Sequence, residues 1–267
     1  MTARGLLYHT LPLFWIAAIL ALSGCAGHKP SVPLAFYDSP EAALRALAAA
    51  SPDAQAVTAT TRITINRHGE RYPLKVAVMM QRPAFLRVES IPFMGPPDFY
   101  LSIAEGGLRV FLPGEGVFYT GRATPQNISR FFSISIPAAD MVSLLMGVPP
   151  EGAEGMQLLG GAREDGLYRV DQYLSGRKAR SLWIDPVGGR LIRFRKFTEK
   201  GTVVYTAEFA DYIRIGEGFL PQQLTIREQD GIPVLSVRHA DLRQNAVDPE
   251  SFPLPVPDGI TPILLDP

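Results

Sequence analysis

The sequence predicts a mainly β protein of the α+β kind: about a dozen antiparallel strands in one curled sheet, with a few helices plugging its concave side. Three observations carry this. From Ala56 onward, β-branched and aromatic residues alternate with polar ones at period two, in short runs bounded by turn residues. The chain holds 24 prolines among 267 residues, awkward for a helical bundle and natural at strand ends. Helical patterning is confined to one segment before the strands and one interruption at mid-chain.

The first helix follows Ser39, an N-cap, with Pro40 at the first helical position and Glu41 in the first turn. Leu44 and Leu47 lie three apart, and Ala43 and Ala50 broaden their face. A meander of strands is expected at 57–65, 72–80, 85–90, 99–103, 108–112 and 116–121, joined by turns such as Glu105-Gly106-Gly107. The interruption begins where Thr124-Pro125 caps QNISRFF, and Ile136-Pro137 opens AADMVSLLMGVPP, which Gly147 and Pro149-Pro150 end. Met141, Leu144 and Leu145 share one face there, either as core packing or as the lining of a cavity. Further strands are expected at 156–160, 167–174, 180–185, 190–197, 202–212, 219–228 and 233–242. No repeat of solenoid or propeller length is present. A sheet this large must curl, and a barrel of this strand number has a lumen wider than side chains easily fill. Val76, Leu101, Trp183, Phe194 and Tyr205 are candidates to line it, with the inward parity left open.

The connection SIPFMGPPDF (90–99) departs from ordinary turn chemistry. It sets Ile91, Phe93 and Met94 between Ile-Pro and Gly-Pro-Pro. Either this tip folds back onto the core, or it protrudes to touch an apolar partner such as a membrane.

At the N-terminus, Arg4 precedes the apolar run Leu11 to Leu22, too short to span a bilayer and suited to a secretory signal peptide over 1–24. Leu22-Ser23-Gly24-Cys25 resembles the bacterial lipobox, in which the cysteine is acylated and becomes the mature N-terminus. Cys25 is the only cysteine, so no disulfide framework exists. The alternative is a buried free thiol. Two or three acyl chains would make a stable anchor in the outer-membrane lipid. The resemblance assigns sorting to the next residue, and Ala26 in place of Asp implies the outer membrane, facing the periplasm. Residues 25–37, Pro-rich and aperiodic, read as the lipidated Cys and a tether, and 38–267 as a single domain.

Enzyme chemistry finds little support. Ser236, His239 and Asp241 fall on one expected strand, where alternation sets His239 and Asp241 on one face and Ser236 on the other, so no local triad forms. His28 and His68 sit in the tether and a turn. No cluster has metal-ligand spacing, and the paired glycines lie in hairpin turns rather than a phosphate loop, so no metal and no cofactor is expected. A formal net charge of zero excludes a nucleic-acid footprint. Arg190, Arg193, Arg195 and Lys196, with the run Arg177-Lys178-Ala179-Arg180, are read as a solvated outer face or as contacts to anionic lipid headgroups.

The order of segments resembles the LolA/LolB family of periplasmic lipoprotein carriers and receptors. SIPFMGPPDFYLSI followed by GGLRVFLPGEGVFYTG is similar to the LolB segment whose apolar loop leads into a strand pair. FFSISIPAADMVSLLMGVPPEG resembles its helix with an internal Pro step, and SLWIDPVGGRLIRFRKFTEKGTVVYTAEFADY its paired long strands. DPESFPLPVPDGI resembles the end of many members. The likeness runs over roughly residues 38–260 and is closest to LolB-type lipoproteins. It implies a curved antiparallel half-barrel of about 11–12 strands, with helices closing an apolar cavity. Phe132, Met141, Leu144, Leu145 and Trp183 would then form cavity or lid, and Ile91, Phe93 and Met94 a protruding membrane-contact loop. The implied function is non-enzymatic: binding lipid or lipoprotein acyl chains in lipoprotein localisation, with a periplasmic carrier protein as a partner. The alternative is an envelope sensor or assembly scaffold with the same fold and no lipid cargo.

Overall fold

The computed structural model describes residues 36–52, 56–67 and 69–265. The signal peptide at 1–24, Cys25, Ala26, the tether up to residue 35, and His28 and His68 lie outside the described residues. Helix α1 (Pro40–Ala50) begins as its sequence dictates, with the Ser39 hydroxyl accepting from the Ala42 N–H at 3.2 Å.

The strands are β1 (Ala56–Arg67), β2 (Glu70–Gln81), β3 (Phe85–Ser90), β4 (Tyr100–Ala104), β5 (Gly107–Leu112) and β6 (Val117–Arg122), then, after helices α2 (Pro125–Phe132) and α3 (Ala138–Leu145), β7 (Gln157–Glu164), β8 (Leu167–Leu174), β9 (Arg177–Ile184), β10 (Leu191–Phe197), β11 (Val203–Ile215), β12 (Gly218–Glu228), β13 (Pro233–Asn245) and β14 (Ile263–Leu264). They form one curved open sheet in the order β14-β6-β5-β4-β3-β2-β1-β13-β12-β11-β10-β9-β8-β7. Each half is a plain meander, and β1 pairing with β13 joins the halves, with Ile63 opposite Val237.

The strand number exceeds the expected 11–12: all the period-two segments pair, and the tail adds β14. That strand is parallel to β6, the one parallel pair in the sheet. The tail crosses Gly121 so closely that a Cβ there would stand 2.8 Å from Cβ of Leu265, so glycine is what admits it.

The inner face is apolar. Val76, Val78, Leu86, Leu101, Val170 and Phe194 are buried, and α2 and α3 lie against this face with Ile128, Phe132, Met141 and Leu144 buried among the sheet's side chains. A void of about 20 Å³ lies beneath the helices, bordered by Ile63, Val88, Phe132, Met141 and Leu145. Where a broad apolar lumen was expected, the buried side chains of the sheet and of both helices form one core cluster.

Candidate functional site

Because neighbouring strands from β6 to β7 run antiparallel, chain direction fixes which connections share an end of the sheet. The β1–β2, β3–β4, β5–β6, β8–β9, β10–β11 and β12–β13 connections, and the segment entering β7, all lie at one end. This end carries the 90–99 tip and an apolar-walled space open to a ligand.

At the tip, Phe93 is 101 % and Met94 81 % exposed, with Ile91 partly exposed. Their projection is organised from below by Ser90. Its buried hydroxyl donates to Asp98 Oδ1 at 2.6 Å and accepts the N–H groups of Asp98 and Phe99 at 2.9 and 3.1 Å. The Ile91 N–H donates to the Lys75 carbonyl at 2.7 Å. Gly95, at φ +87°, makes the reversal a residue with a Cβ resists. The loop is therefore held at its base and bare at its point.

The enclosed space, about 500 Å³, lies between the N-terminus of α3, the segment after it, and strands β8–β10. Phe194, Phe197, Met156 and Leu174 give it apolar walls. Across the space, between Phe194 below and Phe197 and Leu174 toward the open end, runs a polar row: strand register places Gln172 opposite Arg180, Arg180 opposite Lys196, and Lys196 opposite Tyr205. One step deeper the same strands carry Val170, Leu182, Phe194 and Ala207, all buried in the core. Arg180 and Lys196 thus face inward. The reading of the whole basic run as an outer face is corrected at these two residues, because register rather than composition decides the face.

Their surroundings differ. Lys196 forms an ion pair with Asp140, in the first turn of α3, at 2.9 Å. Arg180 donates to the Pro150 carbonyl and the Gln172 side-chain oxygen, both neutral. Burial holds its guanidinium below its ordinary pKa, an effect the nearby Asp140 opposes. The buried Tyr205 hydroxyl stands beside Asp140 in no well-formed hydrogen bond, and burial first, then Asp140, raise its pKa. Lys178 and Arg177 also border the space but are engaged, Lys178 with the Asp171 carboxylate and Arg177 with the Glu199 carbonyl, while Arg190 pairs with Asp185 and Arg193 with Glu208.

The helices are tied at this end on their other side too. Arg67, the last residue of β1, donates to Ser133 Oγ at 3.0 Å and to the Arg130 carbonyl at 2.9 Å. Deeper, His239 Nδ1 lies 2.8 Å from Thr61 Oγ1, and its pKa is lowered to about 4 by burial, which the Leu145 carbonyl at the end of α3 partly offsets.

Phe132, Met141, Leu144 and Leu145 are brought together as the buried plug. Trp183 is not among them. It follows Leu182 on β9 and points to the opposite face, where its ring lies 5.3 Å from the Arg193 guanidinium and 5.2 Å from that of Arg195. The cavity role read for Trp183 is thereby corrected: the arginines bury its indole against the outer face as a cation–π stack. Asp241 also leaves the place expected for it. At φ +51°, it sits where the β1–β13 register shifts, and this bulge turns it to the surface while His239 stays buried. Among the described residues no group of His, Cys, Asp and Glu is placed to hold a metal. No helix among the described residues is long and apolar enough to cross a membrane.

No family profile matches the chain, and no curated protein does. Solved structures do. A domain named for outer-membrane lipoprotein sorting, from Vibrio parahaemolyticus, aligns with a TM-score of 0.57 at 14% identity, over 80% of this chain and 97% of its own. A LolA superfamily protein from Nitrosomonas europaea aligns with a TM-score of 0.57 at 13% identity, over 82% and 99%. A DUF1329 family protein from Desulfovibrio piger gives 0.56 at 14% identity, over 80% and 95%. With its single curved sheet and helices seated on the concave face, this chain has the LolA/LolB-like fold.

Proposed function

We propose that this protein is an acyl-anchored envelope lipoprotein that binds a lipid or lipoprotein acyl chain at the open end of its half-barrel, beside the membrane that anchors it. The observation that carries the reading is the placement of an apolar-walled space of about 500 Å³ at the same end of the sheet as the bare Phe93–Met94 tip. Its size lies within the range of small-molecule sites. Burial of an acyl chain supplies the affinity, about 0.8 kcal/mol per methylene removed from water. No bond-making step is called for. Anchoring rests on Cys25 and placement at the outer membrane on Ala26.

Mass spectrometry of the full chain purified in a neutral detergent tests this. Stoichiometric co-purifying phospholipid, fatty acid or acylated peptide is expected. Protein free of lipid that also refuses added acyl probes would sink the reading. Separately, incorporation of an alkyne-tagged palmitate should be lost in Cys25→Ala.

The core cluster in place of a lumen favours a second reading, in which the fold serves as an envelope sensor or scaffold without cargo. In that case the detergent-purified chain stays lipid-free and instead retains a protein partner after crosslinking in cells.

A further inference from the structure

Arg180 and Lys196 stand directly opposite each other on the inner face of the β9–β10 pair. Two like charges in that relation repel and need a counterion between them. Asp140 is the sole carboxylate that pairs with either among the described residues, and it pairs with Lys196. Arg180, lodged on neutral acceptors, is a half-buried charge without an anion of its own. Partly buried charges are costly unless paired, so the row is electrostatically incomplete as it stands. The other acids around the space, Glu151 and Glu199, are exposed at its rim. Immediately beneath the two cations begins the apolar wall of Phe194, with Phe197 and Met156 nearby. Cations set against hydrocarbon walls match one kind of molecule.

We infer that the Arg180–Lys196 pair is the headgroup subsite for an anionic single-chain amphiphile, carboxylate or phosphate, whose chain lies along Phe194 and Phe197. The inference rests on reading this space as an acyl site and names its ligand class. The Arg180 guanidinium offers a planar fork to two anionic oxygens and Lys196 adds a point charge. The incoming anion competes with Asp140 for Lys196. Binding therefore exchanges the contact that holds the first turn of α3 to β10, and couples occupancy to the seating of the plug. The uncharged thioether diglyceride of an acylated cysteine offers no partner for this pair, so the subsite selects free anionic lipid over acylated peptide.

The test is native mass spectrometry of the full chain, in neutral detergent, with equimolar dodecyl phosphate, dodecanoate and monododecanoylglycerol. The anionic probes should occupy the protein about tenfold more than the neutral one, the effect of one charge-assisted hydrogen bond. Lys196→Gln and Arg180→Gln should each erase the preference while the neutral probe is still retained. Arg180→Lys should preserve much of it. Asp140→Asn, which frees Lys196, should raise anionic occupancy, a gain that a purely structural role does not produce. If Arg180→Gln unfolds, Lys196→Gln decides. Equal occupancy by all three probes in the unaltered protein overturns the headgroup inference and leaves the acyl site standing. Failure to retain any probe removes the acyl site and this inference together. Displacement of dodecyl phosphate by equimolar inorganic phosphate makes the pair a site for a free anion and overturns the amphiphile.

Discussion

Asp140 reaches across from the first turn of α3 to Lys196 on β10, and this 2.9 Å ion pair is the polar contact that joins the plug to the C-terminal half of the sheet at its open end. Lys196 is partly exposed, so the pair contributes little to global stability, about 0.5–1 kcal/mol. Its removal should act locally. Asp140→Ala should raise amide exchange in Ala138–Leu145 well above the change in β10, measured by hydrogen–deuterium exchange. Uniform exchange across the sheet and α3 would show that the pair does not latch the helix.

His239 gives the fold an acid sensitivity of known sign. Its ring is protonated in the unfolded chain below about pH 6.5, whereas burial lowers the folded value to about 4. Between those values the unfolded state binds a proton that the folded state does not. Stability is therefore full above pH 6.5 and falls as pH drops toward 4, by an amount on the order of 3 kcal/mol. Denaturant melts at closely spaced pH values should show this slope, and His239→Gln should flatten it. An unchanged slope in the variant would assign the acid sensitivity to carboxylates instead.

The tip can be altered without touching the core. Phe93 and Met94 make no buried contacts, so Phe93→Asp with Met94→Ser should leave the thermal midpoint nearly unmoved, within about 0.5 kcal/mol. Association with vesicles of phosphatidylethanolamine and phosphatidylglycerol should fall, since each side chain contributes up to about 1.5–3 kcal/mol on burial. A sedimentation assay on the unacylated Cys25→Ala chain isolates this contribution from the anchor. Equal sedimentation of both proteins would remove the membrane role of the tip.

Ser90 is the fastening of that loop. Ser90→Ala strands the Asp98 and Phe99 N–H groups and should cost about 1–3 kcal/mol. Limited proteolysis should then cut between Ile91 and Phe99 faster than in the unaltered protein. A loop no more susceptible than before would mean that the prolines, not the hydroxyl, hold it.

Much of this architecture was legible in the sequence, for a definite reason. Strand and turn signals are local, and the period-two runs from Ala56 to Leu242 all pair as strands. The tip announced itself because Ile91, Phe93 and Met94 contradict turn chemistry. What stayed hidden depends on register between strands. The stretch Ser-Leu-Trp-Ile is apolar on both faces, so nothing in it tells that Leu182 looks inward and Trp183 outward onto Arg193 and Arg195. Gln172, Arg180, Lys196 and Tyr205 are scattered over four strands and become a row only when those strands are laid side by side. The bulge at Asp241 defeats alternation altogether, since one residue at positive φ shifts every later side chain to the other face.

The way β1 meets β13 has a consequence for how the chain assembles. Nearly every other neighbour in the sheet is also the next strand in sequence, so each meander can zip from its own hairpins. The β1–β13 seam alone among the long pairings must bring together residues from opposite ends of the domain, and closing so large a loop costs entropy before any ladder bond repays it. That seam is therefore the pairing whose loop-closure cost is largest, while the segment 123–156, which carries both helices, links the two meanders through β6 and β7. A chain nicked within that segment would hold two intact meanders that meet along Ile63 and Val237, and their reassociation would report the strength of the seam by itself.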